Sequence, residues 1–159
     1  MLTWLSTTTL GKLTATFIIS MVPIIELRLG LPYGIALGLD YTYALCAAVL
    51  GNMIPVPFII LFIQKIFQWI RKRIKALDGF VSRLEQRADH KGELVEKYGP
   101  LALILLVGIP LPGTGAWTGS LVAALLNVPI KKAVPSIFIG VCLAAAIMTA
   151  VTYGLIKLV

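Results

Sequence analysis

The stretch Ile109-Pro110-Leu111-Pro112-Gly113-Thr114-Gly115 decides how this chain folds, because it interrupts a long apolar segment. Uncharged residues run from Tyr98 to Ile130, enough for one spanning helix or for two short ones. Two prolines remove backbone donors and two glycines permit positive φ, so an unbroken helix is disfavoured here. Each arm of about 15 residues would be about 22 Å long, shorter than the about 30 Å of a bilayer core. We therefore predict a re-entrant hairpin over about 99–130, with a kinked spanning helix as the alternative.

A similar interrupted segment lies near the N-terminus. Between Lys12 and Asp40 the apolar sequence is broken near its middle by two prolines, a glycine and two charges: Pro23, Glu26, Arg28, Gly30 and Pro32. The arms are again too short to cross twice, which predicts a second re-entrant hairpin over about 12–40. Each hairpin is followed by an apolar segment long enough to span, over about 41–70 and about 131–158.

The two halves share one order of features: a glycine, a short apolar arm, a proline break, a second arm, Asp or Asn, and a long apolar helix. Aligning Pro23 with Pro110 also aligns Asp40 with Asn127. Paired interrupted segments in two halves are typical of transporters. We predict an all-α integral membrane protein with repeats at 1–70 and 99–159, joined by a linker at 71–98.

Composition and charge indicate the membrane and the orientation. The hydrophobic set makes up 58% of the 159 residues and charged residues 13%, against about 25% charged in soluble domains. Nine of the 14 Lys and Arg lie between Lys65 and Lys97, and two more are Lys131 and Lys132. The positive-inside rule places both groups in the cytoplasm, so the hairpins enter from opposite faces of the plasma membrane as an inverted repeat. Acidic residues interleave with these cations, which favours anionic headgroups over nucleic acid as partners.

The linker carries apolar residues at spacings of three and four, including Ile74, Leu77, Val81 and Leu84. This pattern predicts an amphipathic helix, lying either on the inner leaflet or against a second subunit. Because two spanning helices enclose little space, we expect a homodimer in the lipid bilayer.

Glu26 and Arg28 are the strongest functional signal, because ionisable groups at membrane depth need a cavity, a partner or a function. Glu26 is a candidate proton carrier or cation-binding carboxylate, and Arg28 would orient it or hold an anionic headgroup. The alternative is structural, with the two charges paired to each other or to backbone carbonyls at the hairpin tip.

The second tip has no charged side chain but offers exposed backbone groups at broken helix ends, and helix N-termini with free amides bind anions and polar groups. Its candidate binding residues are Pro110, Pro112, Gly113, Thr114, Gly115, Trp117 and Thr118. Close packing of its small residues is the alternative. Pro23 and Asn52 complete the candidate substrate or proton site, with an interhelical hydrogen bond as the alternative role for Asn52. No metal-ligand spacing, catalytic motif or cofactor motif is present, so we predict neither an enzyme nor a cofactor.

Two motifs resemble those of the small multidrug export proteins: Pro23-Ile24-Ile25-Glu26-Leu27-Arg28-Leu29-Gly30-Leu31-Pro32-Tyr33-Gly34 and Pro110-Leu111-Pro112-Gly113-Thr114-Gly115-Ala116-Trp117-Thr118-Gly119. The resemblance covers about residues 11–158. That family is similar to the DedA membrane proteins, which implies two opposed re-entrant hairpins and the movement of carrier lipids or phospholipids. DedA proteins carry arginines in the second hairpin, whereas none occurs here between Gly99 and Ile130.

Three functional hypotheses follow. The first is a DedA-like translocase of a lipid or lipid phosphate, for which Arg28→Ala should be more damaging than Glu26→Gln. The second is a proton-coupled exporter of lipophilic cations, for which the reverse holds. The third is a non-transporting scaffold that recruits partners through its basic linker.

Overall fold

A computed structural model describes residues 8–73, 79, 82–83, 86, 98–111 and 113–156. Throughout these residues the chain is helical apart from turns and bends. The helices are α1 (Thr9–Met21), α2 (Glu26–Ala36), α3 (Tyr41–Met53), α4 (Pro55–Arg73), α5 (Pro100–Gly108), α6 (Ala116–Leu125) and α7 (Ile130–Ile156). Most of the predicted linker at 71–98 lies outside the described residues, so its amphipathic helix remains a prediction.

Helices α1 and α2 form the first hairpin. A β-carbon on Gly30 would meet Ser20, and one on Gly34 would meet Thr16, so the two arms run antiparallel in close contact. The hairpin begins slightly earlier than predicted, at Thr9, because the Thr8 hydroxyl accepts a hydrogen bond from the Gly11 amide and caps α1. The arms have 13 and 11 residues, about 20 and 17 Å of helix, which is too short to cross a bilayer.

Helices α5 and α6 form the corresponding interrupted segment of the second half. They have 9 and 10 residues, about 14 and 15 Å, again too short to cross. Helix α5 packs closely on α7, where β-carbons on Gly108 and Gly140 would meet Leu143 and Val107. Both helices are shorter than the arms of about 15 residues predicted from the sequence. The re-entrant hairpin and its entry from the opposite face of the membrane stay predictions.

Among the described residues, two segments are long and apolar enough to cross a membrane by length and composition, Tyr41–Ile63 and Ile130–Thr152. The first of these is interrupted near Asn52, because the helix breaks at Ile54 between α3 and α4. Proline at 55 cannot donate to the carbonyl four residues earlier, and Pro57 repeats the effect. Pro135 lies within α7 without dividing it.

The second arms of both halves end in the same way. At the end of α2, Gly38 has a φ of 78° and the Leu39 amide donates to the Gly34 carbonyl; at the end of α6, Asn127 has a φ of 54° and the Val128 amide donates to the Ala123 carbonyl. Glycine and asparagine are the residues that adopt this left-handed cap most easily. The caps equate Gly38 with Asn127, whereas the sequence alignment paired Asp40 with Asn127.

The two halves share one core. Its fully buried members come from α2, α3 and α4 of the first half and from α5, α6 and α7 of the second, among them Leu27, Ala48, Val107 and Ile137. Helix α2 contacts α7, and α4 contacts α6. The ends of α1, α2, α5 and α6 therefore lie in one packed body, which positions the candidate site.

Candidate functional site

The tips of the two hairpins meet. The first tip comprises the α1–α2 link and the start of α2, including Glu26 and Arg28. The second tip comprises residues 109–117, between α5 and the first turn of α6. We call the hydrogen bonds that Glu26 and Arg28 form with the second tip the tip contact.

Glu26 is bound to the start of α6. Its side chain is only 4% exposed, and its Oε1 accepts a hydrogen bond of 3.1 Å from the Trp117 amide. The first amides of a helix have no partner within the helix, and the helix dipole places partial positive charge at this end. The carboxylate is therefore stabilised here mainly by helix amides, with a smaller contribution from the charge of Arg28.

Arg28 is bound to the other broken end, past the C-terminus of α5. Its Nη1 donates to the Leu111 carbonyl, while its Nη2 donates to the Ile109 carbonyl at 3.4 Å and to the Thr114 hydroxyl at 2.6 Å. Carbonyls that follow a helix carry partial negative charge, which complements a guanidinium. Of the alternatives considered for this charge pair, the structure agrees with pairing to backbone groups, although the carbonyls belong to the opposite hairpin.

Gly115 allows the two tips to approach. It has a φ of 126° and a ψ of −173°, a combination essentially restricted to glycine. A β-carbon at this position would lie 2.0 Å from Oε2 of Glu26 and 2.6 Å from its Cδ. Contacts this short do not occur, so glycine is required both by the backbone conformation and by the carboxylate.

Trp117 ties the second tip to α1. Its indole Nε1 donates a hydrogen bond of 3.0 Å to the Met21 carbonyl, at the last residue of that helix. The same residue thus supplies its backbone amide to Glu26 and its side chain to a second broken helix end. Trp117 of the second hairpin therefore binds the first hairpin on both sides of its break, at Met21 and at Glu26.

The first tip is conformationally strained. Ile24 and Glu26 have φ values of 77° and 49°, in the left-handed region that side chains with a β-carbon rarely adopt. Such conformations cost of order 1–3 kcal/mol each and persist where surrounding contacts hold them. The tip contact supplies such contacts for Glu26, whereas Ile24 is 93% exposed.

Asn52 is buried beside the α3–α4 break. It is 3% exposed, and its Oδ1 has no hydrogen-bond partner among the described residues. The preceding Gly51 lies against the Phe17 carbonyl and Ser20 of α1, close to the end of that helix. The role of Asn52 in a substrate or proton site therefore stays a prediction, as does the interhelical hydrogen bond considered for its side chain.

The remaining predicted site residues shape the tips. Pro23 lies in the α1–α2 link and Pro110 follows α5, while Pro112 lies outside the described residues. Gly113 has a φ of 75°, and the Thr118 hydroxyl donates to its carbonyl at 3.3 Å. Thus the structure brings together Glu26, Arg28, Thr114, Gly115 and Trp117, the charged residues of one tip and the polar and small residues of the other.

Sequence reasoning allowed for backbone carbonyls as partners of the charges but did not identify which carbonyls they are. The carbonyls of Met21, Ile109 and Leu111 all follow or end a short helix, and all three bind side chains from the opposite hairpin. The signal in the sequence was that the two tips complement each other. One tip carries two opposite charges, and the other carries no charge but has two broken helix ends whose backbone groups can bind such charges. A further missed contact joins the Tyr41 and Thr149 hydroxyls of α3 and α7 at 2.8 Å.

Comparison with known proteins gives one family. A family model described as "Putative small multi-drug export protein" matches residues 26–147, which include Glu26, Asn52 and the whole second tip. No curated protein and no solved structure matches the chain.

Proposed function

The chain belongs to the small multi-drug export protein family, and from this premise we propose that it is a proton-coupled exporter of lipophilic cations. In this proposal Glu26 binds either a proton or the cation, and the tip contact is the gate between the two sides of the membrane. The coarser conclusion, a membrane protein of an export family, rests on the family match and the two apolar spanning helices.

The observation that carries the proposal is the environment of Glu26. The carboxylate is buried against the Trp117 amide, and Arg28 is directed to the carbonyls of the second tip. A carboxylate that is hydrogen-bonded to helix amides leaves its partner more easily than one that is paired with a guanidinium, because the amides carry only partial charges. Protonation removes the charge that binds the start of α6, so the carboxyl can couple proton binding to separation of the tips.

Arg28 supports a cation rather than a lipid phosphate as substrate. Its guanidinium already donates to two carbonyls and one hydroxyl, which leaves little capacity for bidentate binding of a phosphate. The resemblance to DedA proteins implies a lipid or lipid-phosphate translocase, and such a substrate would have to displace these acceptors first. A cation instead requires only the carboxylate.

The proposed cycle exchanges a proton for the cation. With Glu26 ionised, the cation competes with the α6 amide for the carboxylate. With Glu26 protonated, the site has lost its negative charge, and the cation leaves. Because proton and cation compete for one group, a proton gradient drives the cation in the opposite direction.

The assembly and orientation belong to the same proposal. We place the protein in the plasma membrane as a homodimer, with the basic linker at 71–98 on the cytoplasmic side against anionic lipid headgroups. The charge distribution supports this orientation through the positive-inside rule. The small number of spanning segments supports a second subunit to enclose the pathway.

Transport by purified protein in liposomes tests the proposal. A fluorescent lipophilic cation and a fluorescent polyprenyl-phosphate analogue are followed in parallel, with and without an imposed pH gradient. Glu26→Gln keeps the size of the side chain and an acceptor oxygen but removes the charge. The matched control is Asp40→Asn, which neutralises an exposed acid at the start of α3 whose side chain caps no amide.

We expect gradient-driven movement of the cation by the wild type and by Asp40→Asn, and its loss in Glu26→Gln. Movement of the polyprenyl phosphate alone, more sensitive to Arg28→Ala than to Glu26→Gln, would replace this proposal with the lipid translocase. Movement of neither probe, with function in cells abolished by neutralising the linker, would indicate the scaffold.

A further inference from the structure

Asn52 carries a polar atom that the tip contact does not use. Its Oδ1 is fully buried and accepts no hydrogen bond within the part of the chain that the structure describes. A buried acceptor without a partner costs about 1–3 kcal/mol, and such groups in a folded protein usually have a ligand, ion or water. The oxygen therefore needs an occupant that can serve as a positive partner.

The residues next to Asn52 supply more oxygen of the same kind. The α-helical donors for the Gly51 and Met53 carbonyls would be the amides of residues 55 and 57, and both of these are prolines. The helix accordingly ends at Met53 and restarts at Pro55. One turn of chain thus contains a buried orphan amide oxygen and two carbonyls without their α-helical donors.

The break lies on the protein-facing side of the segment. Gly51, Asn52, Pro55 and Val56 are buried, while Ile54 between them is exposed. Val56 belongs to the buried cluster that also contains Leu27 and Ala116, the neighbours of Glu26 and Trp117 in the two tips. The orphan oxygen therefore faces the interior near the tips and not the surrounding lipid.

From these observations we propose that the α3–α4 break binds a dehydrated alkali cation, Na⁺, through Asn52 Oδ1 and the released carbonyls. Neutral carbonyl-type oxygens replace the hydration shell of monovalent ions, whereas divalent ions are usually bound with carboxylates. Unwound backbone within a membrane helix is a known setting for such ions. Because Oδ1 is closed to solvent, the proposed occupant is a small ion and not a bulky organic cation.

The site is distinct from the carboxylate that the proposed function uses. Its ligands do not titrate, so the occupancy by Na⁺ should not itself depend on pH. The ion would also hold the α3–α4 break in one conformation, since a ligand that binds the folded state stabilises it. Binding of Na⁺ is measured without transport. A protein that does not bind Na⁺ could still export cations by proton coupling, and a protein that does not export could still bind Na⁺.

Thermal unfolding of the purified full-length protein in detergent tests the site. The melting temperature is compared in NaCl and in choline chloride at equal concentration, so that ionic strength is constant. If the salt exceeds the dissociation constant about a hundredfold, we expect Na⁺ to raise the melting temperature by about 5–10 °C. Binding of radioactive ²²Na⁺ to the same protein should approach one ion per chain.

Asn52→Ala removes the acceptor and should abolish both the shift and the ²²Na⁺ binding. Asn52→Asp keeps an oxygen and adds a negative charge, so its half-saturating Na⁺ concentration should fall about tenfold. This second variant tests the site even if Asn52→Ala fails to fold. Asn127→Gly is the matched control, because this second asparagine is exposed and glycine suits its positive φ. Equal melting temperatures of the wild type in the two salts, or an unchanged half-saturating concentration in Asn52→Asp, would overturn the proposal and indicate a water molecule or an empty site.

Discussion

Replacing Gly115 with alanine tests whether the tip contact holds the two hairpins together. The new β-carbon would lie 2.0 Å from Oε2 and 2.6 Å from Cδ of Glu26, so the carboxylate must leave its place against α6. The backbone conformation, with φ at 126° and ψ at −173°, adds a cost of about 1–3 kcal/mol for a residue with a β-carbon. Losing a buried hydrogen bond to a charged group costs about 1.5–3 kcal/mol.

Together these terms predict that Gly115→Ala lowers the free energy of unfolding by about 3–5 kcal/mol. For a chain of this size each kcal/mol corresponds to about 2–4 °C, so the melting temperature should fall by at least about 6 °C. Thermal unfolding in detergent, followed by circular dichroism, measures the change. The control is Gly154→Ala, because a β-carbon there meets nothing within 4 Å inside a helix, and alanine should stabilise it by about 0.5–1 kcal/mol.

A double-mutant cycle separates the carboxylate from the backbone strain. In a Glu26→Ala background the clash is absent, so Gly115→Ala should cost only the strain of about 1–3 kcal/mol. The two substitutions should therefore be less than additive by at least about 1 kcal/mol. Strict additivity of the two substitutions would refute the tip contact. A melting temperature of Gly115→Ala within about 2 °C of that of the wild type would refute it as well.

Three further predictions concern neighbouring contacts. Arg28→Lys should lower the melting temperature nearly as much as Arg28→Ala, because one ammonium cannot reach three spread acceptors as a planar guanidinium does; full rescue by lysine would contradict this. Trp117→Phe should lower the free energy of unfolding by about 1 kcal/mol through loss of the bond to Met21, measured by thermal unfolding, and no change would exclude that bond. Gly51→Ala should cost about 1–3 kcal/mol or prevent folding, because its β-carbon would lie 2.3 Å from the Phe17 carbonyl oxygen, and a normal yield and melting temperature would contradict this packing.

The helical elements could be predicted because their signals are local. The breaks at Pro23 and Pro110 follow from missing donors, and the lengths of the apolar runs limit what can cross. The interruption near Asn52 was likewise visible in the adjacent prolines. The repeat register was less accessible, since Gly38 and Asn127 are equivalent through a shared left-handed cap, and the residues themselves differ.

The partners of Glu26 and Arg28 could not be predicted from their own surroundings. Two opposite charges two residues apart suggest an ion pair, but each is bound instead to a helix end more than 80 positions away. Backbone partial charges leave no mark in the composition of the second tip. Only the packing of both hairpins into one core brings these groups within hydrogen-bond distance.

The contact between the tips also explains why a charged tip and an uncharged one suffice. The start of α6 provides partial positive charge for Glu26, and the carbonyls after α5 provide partial negative charge for Arg28, so the second half needs no ionisable residue of its own. With Glu26 ionised, the two side-chain charges cancel. With Glu26 protonated, the tips carry the uncompensated charge of Arg28, which repels a bound cation. In the exporter that we propose, this arrangement would oppose simultaneous binding of proton and cation, which is the exclusion that an exchange mechanism requires.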